Sequence, residues 1–287
     1  MTDAPEQPLE RRLALDEPFA GIELGYLEWL PADPVRTVVC VHGLTRNAHD
    51  FDVLARELAR HGARVLAVDV VGRGRSSWLE DPQGYAVPTY VGQLSRWMAG
   101  LELGAVDWIG TSMGGLIGMA MAAGEASPIA RLILNDIGPF VSRQALLQIK
   151  SYLALELRFA TLEEAENHLR FIHAPFGHLT DEQWRHLTYH SVVADGDGWR
   201  LHYDPGIKVP YAELAEEDIA LWELWDRIRC PTFVLHGWDS VILSGKTCDE
   251  MRRRGPQAEV AHFFGVGHAP ALMSPDQILT VRRWLHL

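Results

Sequence analysis

The chain has few cysteines: 3 among 287 residues. Cys40, Cys230 and Cys248 are too scattered for a metal cluster, and their odd number argues against a disulfide framework, so each is read as structural. Long apolar runs are missing too. The longest candidate, Leu116 to Ala123, is rich in glycine, alanine and methionine and falls far short of the about 18 residues that span a bilayer. Positive charge is in deficit, with 26 Lys and Arg against 38 Asp and Glu and a formal net charge of −12. That balance argues against a nucleic-acid partner, since binding a phosphate backbone needs clustered cations. The one basic run, Arg252-Arg253-Arg254, closes a helical stretch before Gly255-Pro256, where cations offset the helix dipole. The 13 histidines show no H-E-x-x-H motif, so neither a metal nor a cofactor is expected. Met1 to Pro8 is acidic and proline-bearing, unlike a secretory leader; a cytoplasmic protein with no membrane attachment is the expectation.

What is present is a globular composition, 47% hydrophobic and 22% charged, enough for one large core or a core with a lid. From Thr37 onward short β-rich runs alternate with longer helical ones, which implies a parallel sheet with helices on both faces. The expected strands are Thr37 to Val41, Arg64 to Val68, Val106 to Ile109, Arg131 to Leu134, Thr232 to Leu235 and Glu259 to Phe264. Arg12 to Asp16 and Gly21 to Trp29 read as a leading antiparallel pair. Helices are expected over Phe51 to His61, Thr89 to Leu101, Met113 to Ala123, Ser244 to Arg254 and Pro275 to Leu285, with apolar residues three or four apart. Between Ile137 and Cys230 the alternation stops. Helical stretches Ser142 to Leu157, Leu162 to Ile172, Asp181 to Val193 and Asp218 to Ile228 take over, with a turn-rich, irregular piece from Asp195 to Tyr211. An insertion after a strand end, where ligands bind in such sheets, reads as a lid.

Gly110-Thr111-Ser112-Met113-Gly114-Gly115 joins an apolar strand to a small-residue helix. A serine at such a turn is pushed above the sheet, and glycines two before and two after let the backbone bend sharply. Ser112 is therefore the candidate nucleophile. A serine hydroxyl needs a base, and the base needs an orienting group. His268, in Gly265-Val266-Gly267-His268-Ala269-Pro270 after a strand, is the candidate base. The backbone N–H groups of Leu44, after His42-Gly43, and of Met113 are the expected oxyanion donors. His42 reads as a structural tie within its loop. Asp69-Val70-Val71-Gly72-Arg73-Gly74-Arg75-Ser76 lacks a phosphate-loop ending and reads as a tight turn.

Together, His42-Gly43, Asp69 with Gly72 to Ser76, the Ser112 turn and Gly267-His268 resemble the α/β-hydrolase fold superfamily, serine esterases and lipases in particular, from about Leu13 to the C-terminus. The resemblance implies a mostly parallel eight-stranded sheet with helices on both faces and an inserted helical cap. It divides the chain into core residues 1–137, cap residues 138–229 and core residues 230–287. It also implies a Ser-His-Asp acyl-enzyme mechanism on a small carboxylic ester, with no cofactor and a monomer or homodimer as the assembly. Similar proteins often carry the acid three residues beyond the glycine that ends the strand Thr232 to Leu235. Here Gly237 is followed at that spacing by Ser240, with Asp239 one position early. The superfamily's other acid position, just after the preceding strand, is held by Asp136. Asp136 is the acid expected here, and Asp239 is its alternative.

Two other functions remain open. One is hydrolysis of a carbon–carbon bond in a vinylogous diketone acid, as in the meta-cleavage product hydrolases, with a carboxylate held by Arg143, Arg158, Arg170 or Arg185. The other is ligand sensing through the lid, as in receptors of this fold. Trp184, Tyr189, Trp199, Tyr203, Trp222 and Trp225 are candidates to line the pocket.

Overall fold

The computed structural model describes residues 5–153, 155, 157–211 and 217–287. Its main sheet has eight strands: β1 Leu9–Ala14, β2 Glu23–Trp29, β3 Arg36–Val41, β4 Ala63–Val68, β5 Val106–Thr111, β6 Ile129–Asn135, β7 Thr232–Gly237 and β8 Glu259–Phe263. Their spatial order is β1-β2-β4-β3-β5-β6-β7-β8. β2 is antiparallel to both its neighbours, and every pairing from β4 to β8 is parallel.

The strand sequences explain why the sheet is buried on both sides. Val38, Cys40, Val65, Ala67, Ile109, Ile133 and Leu235 enter one core, whereas Val39, Val41, Leu66, Val68, Trp108, Leu134 and Val234 enter the other. Successive side chains of a strand point to opposite faces, so a parallel sheet covered twice needs near-continuous apolar runs. Helices supply the covers. In chain order they are α1 Asp52–Arg60, α2 Val87–Gly100, α3 Met113–Ala122, α4 Arg143–Leu153, α5 Leu162–Ile172, α6 Asp181–Ser191, α7 Trp222–Trp225, α8 Gly245–Met251 and α9 Pro275–Leu285. α1 and α9 pack on the first face through Leu54, Leu58, Ile278 and Val281. α2, α3 and α8 pack on the second through Leu94, Trp97, Ile117 and Met251. Each such leucine or isoleucine, fully withdrawn from water, contributes about 1.5–3 kcal/mol before its ordering cost.

Helices α4 to α7 all lie between β6 and β7 in sequence. Three expectations for this stretch and the N-terminus need correction. The leading strand begins at Leu9 rather than Arg12, because Leu9 to Arg11 pair with Glu28 to Tyr26 despite their exposed side chains. The region Asp195 to Tyr211 is not irregular: Val192–Asp195 and Gly198–Leu201 form a hairpin, and Pro205–Tyr211 is a 3-10 helix. The expected helix Asp218 to Ile228 shrinks to α7. Ile219 and Ala220 instead pair with Val141 and Phe140, and Asp218 accepts a hydrogen bond from the Arg143 N–H. Tertiary pairing there overrides local helix preference. The expected helix Ser142 to Leu157 appears as α4; residues 154 and 156 of it lie outside the described residues.

Candidate active site

Three strand ends carry the expected chemical groups. Ser112 follows β5, Asp136 follows β6, and His268 lies in the loop after β8. Ser112 turns between strand and helix with φ 51° and ψ −112°, a conformation that costs a non-glycine residue about 1–3 kcal/mol. Its neighbours make the turn possible. A Cβ on Gly110 would fall 2.3 Å from the Gly114 carbonyl oxygen, and one on Gly114 would fall 2.0 Å from that of Val41. The turn thus closes on bare backbone, and the Ser112 hydroxyl projects beyond the strand ends.

His268 Nε2 lies 2.9 Å from Ser112 Oγ, and Nδ1 lies 2.8 Å from Asp136 Oδ2. A carboxylate only accepts, so the imidazole proton sits on Nδ1 and leaves Nε2 free to accept from the serine hydroxyl. Asp136 is fully buried, with φ 55°. Its Oδ1 accepts the Gly237 N–H at 2.8 Å, and Oδ2 also accepts the Ser240 hydroxyl at 2.5 Å. Ser240 in turn accepts the N–H groups of Ile242 and Leu243. The residue that stands at the superfamily's usual acid position therefore braces the carboxylate that reaches His268. Asp239 is exposed at the cavity rim, its N–H bonded to the Val266 carbonyl.

Asn135, absent from the sequence expectations, ties the parts together. Its amide donates to Thr111 Oγ1 at 3.0 Å and to the Pro270 carbonyl at 2.8 Å, joining β5 to the His268 loop. No local signal marks it, because both partners are remote in sequence or reached through backbone.

The two expected oxyanion residues flank the serine. Met113 is the first residue of α3, and Leu44 lines the cavity in the loop after β3. That loop is held from beneath. His42 is fully buried; its Nε2 accepts the Val70 N–H at 2.9 Å, which leaves Nδ1 to donate to the Gly43 carbonyl at 2.7 Å. Burial lowers its pKa to about 4, so the ring is neutral at physiological pH. Arg73, also fully buried, donates from Nε to the Leu44 carbonyl and from Nη1 to the Val71 carbonyl and Tyr90 hydroxyl. The Asp69 to Ser76 segment is the tight turn expected: Asp69 accepts the N–H groups of Ala48 and Arg75, and Gly74 turns at φ 52° against its carboxylate.

Ser112 and His268 open on a cavity of about 230 Å³. Phe51 and Leu44 line it from the sheet side. Tyr152, Ile172, His173, Phe176 and Leu187 roof it from the stretch between β6 and β7. Arg46 is its buried cation, with Nε and Nη2 engaging both oxygens of Asp50 and Nη1 donating to Ser191 Oγ. Burial, with Arg46 and His268 nearby, holds His173 well below the usual histidine range. None of the six aromatics expected to line the pocket borders this cavity among the described residues, although Tyr203 lines a smaller recess that adjoins it at Arg46, Tyr152 and His173. Trp184 packs against Leu179 and Met273, Trp225 lies in the main core, and Tyr189 is exposed. Nor do Arg143, Arg158, Arg170 and Arg185 face the cavity; Arg158 pairs with Asp195 and Asp197, and Arg170 with Glu166 and Asp181. The actual liners sit on α4, α5 and α6, in 3-10 turns or in loops, where sequence does not distinguish a roof from a core.

A profile of the α/β-hydrolase fold matches residues 36–275, from the first parallel strand to the start of α9. The chain belongs to the α/β-hydrolase family. The hydrolase is 44% identical over 270 residues to a 3-hydroxybutyrate-oligomer hydrolase of Cupriavidus necator, a match covering 90% of this chain and 92% of the relative. It is 28% identical to the esterase YbfF of Escherichia coli over 87% of this chain and 92% of that one. The crystal structure of a putative hydrolase from Rickettsia typhi superposes with a TM-score of 0.89 at 32% identity, covering 98% of this chain and 99% of that one. The protein is thus a carboxylesterase-like α/β hydrolase. Among its described residues no helix is long and apolar enough to cross a membrane.

Proposed function

We propose that this hydrolase cleaves small carboxylic esters through an acyl-enzyme, and that oligomers of 3-hydroxybutyrate are its substrate class. Ser112 attacks the ester carbon while His268 Nε2 takes its proton, and Asp136 stabilises the imidazolium that forms. The Leu44 and Met113 N–H groups hold the oxyanion, worth about 10²–10³ in rate for each donor. His268 returns the proton to the departing alcohol and then activates the water that releases the acid. Residues 138–229 act as a cap that roofs the cavity between the two core segments, 1–137 and 230–287.

The observation that carries this reading is the unbroken hydrogen-bond chain from Ser112 through His268 to Asp136, opening on an apolar cavity. The relative from Cupriavidus necator supports the oligomer substrate, since the two proteins align over nearly their whole lengths. Carbon–carbon hydrolysis of a diketone acid has less support: the four arginines named for its carboxylate lie outside the cavity, and Arg46 inside it is engaged by Asp50.

The test is hydrolysis of 3-hydroxybutyrate dimer and trimer beside an aryl butyrate, by wild type and Ser112→Ala. Wild type cleaves all three, and Ser112→Ala loses about 10⁶ in kcat. A folded wild type that cleaves none refutes the esterase reading. Cleavage of the aryl ester alone refutes the oligomer assignment and leaves the mechanism standing.

A further inference from the structure

Four titratable side chains meet on the far side of the loop after β3, where α6 crosses the start of α1. His186 and His190, four residues apart, share one face of α6. His49, in the 3-10 turn Ala48–Phe51, and Asp52, the first residue of α1, face them. The His49 and His190 rings stack with centroids 3.5 Å apart, and the His186 ring meets that of His190 at 4.7 Å. Asp52 Oδ2 lies 2.8 Å from His49 Nδ1 and 3.2 Å from His186 Nε2. One ligand atom from each of His49, Asp52 and His190 falls within 4.8 Å of the other two. Asp52 Oδ1 is buried and has no hydrogen-bond partner among the described residues.

We propose that His49, Asp52 and His190 form a binding site for a divalent transition metal, zinc first, with His186 orienting the Asp52 carboxylate. Two imidazole nitrogens and a carboxylate oxygen are a donor set zinc accepts, leaving a fourth position for water. Ligand atoms around tetrahedral zinc stand about 3.3 Å apart, so the two rings need only turn inward about the carboxylate. The side chains of His49, Asp52 and His186 are 16%, 18% and 29% exposed, which gives an ion a route in. His190 is half-buried and packs against the other two imidazole rings, which brings its ring nitrogens to the cluster. His186 Nε2 stands against Asp52 Oδ2, the contact by which it would orient the carboxylate rather than ligate the ion. Arg75 opposes the ion, with Nη1 3.4 Å from His49 Nε2. Its guanidinium is itself paired with Asp69 and Glu10.

The site joins two parts of the hydrolase. α6 brings Leu187 to the cavity and Ser191 to Arg46, while Asn47, beside His49, donates to the His190 carbonyl. A metal here would clamp the cap's α6 to the loop that carries Leu44. The sequence carried a trace of it in the spacing His186-x-x-x-His190, against the expectation of no metal.

Titration calorimetry of the full chain with zinc chloride, on wild type, His190→Ala and His268→Ala, tests the proposal. Wild type binds one zinc per chain and gains in Tm; His190→Ala weakens binding more than about 100-fold, and His268→Ala leaves it unchanged. If His190→Ala does not fold, Asp52→Asn, which keeps the side chain's shape, makes the same comparison. Cobalt(II) provides a second readout, as its visible absorption bands report nitrogen and oxygen ligation and disappear with either variant. Absence of zinc binding to wild type overturns the proposal. So does binding lost in His268→Ala and retained in His190→Ala, which puts the ion on the catalytic-cavity histidine instead.

Discussion

Asp136→Asn changes one atom of a fully buried side chain and keeps its outline. Three donors converge on the two carboxylate oxygens: Gly237 N–H on Oδ1, and Ser240 Oγ and His268 Nδ1 on Oδ2. A carboxamide offers one oxygen and an NH₂. If the oxygen faces Gly237, the NH₂ meets Nδ1, which must then accept, and the imidazole proton moves to Nε2. His268 then points a donor at Ser112 and cannot serve as its base. If the oxygen faces His268, the NH₂ opposes the Gly237 N–H, a buried mismatch worth about 1–3 kcal/mol. Both placements also remove the charge that stabilises the imidazolium. The expected loss is about 10⁴ in kcat, or roughly 5.4 kcal/mol at 1.36 per tenfold. KM changes little, because Asp136 is not among the residues lining the cavity. The assay is steady-state release of nitrophenol from an aryl butyrate at neutral pH, with Asp239→Asn alongside and close to wild type. Ser240→Asp added to Asp136→Asn is the sharper arm, since Ser240 Oγ stands 2.5 Å from Asp136 Oδ2. A carboxylate there reaches the space facing Nδ1 and should restore about 10² of the loss. Asp136→Asn within tenfold of wild type, with Asp239→Asn crippled, would refute the reasoning.

Two further outcomes follow from the floor of the site. His42 is neutral in the fold down to a pKa of about 4, against about 6.5 when unfolded. Between those values the unfolded chain binds the extra proton, so stability is fully present above about pH 6.5 and is lost as pH falls toward 4, by about 3 kcal/mol. Urea midpoints across that range measure it, and an equally steep loss in His42→Gln would assign the effect elsewhere. Arg73→Lys keeps the charge but gives up the planar fork that serves the Leu44 and Val71 carbonyls and the Tyr90 hydroxyl. It should cost about 2–3 kcal/mol in urea unfolding and lower kcat through the Leu44 loop. Unchanged kcat in the folded variant would show that the guanidinium supports the core alone.

Much of the architecture was legible because its causes are local or periodic. Runs such as Val38 to Val41 satisfy two apolar faces at once, and only a doubly covered parallel strand needs that. The Ser112 turn was legible for a different reason: a Cβ at Gly110 would meet the Gly114 and Gly115 backbone of the motif itself, although the one at Gly114 is excluded by Val41 on the neighbouring strand. His268 was recognisable as a histidine in a glycine-bearing loop after a strand. By contrast, α7 and the edge strand at Leu9 depart from the local pattern because partners distant in the chain outweigh local preference.

The chain order of residues therefore determined the strands, the helices between them and the serine turn, since periodic burial and local turn chemistry act over neighbouring residues. The tertiary structure alone decided which carboxylate meets His268, what roofs the cavity and which histidines gather around Asp52. Asp136 meets Gly237 and Ser240 across separations of 101 and 104 residues, and His268 across 132. A hydrogen bond depends on ångström-scale placement, and the packing of whole strands and helices sets that placement.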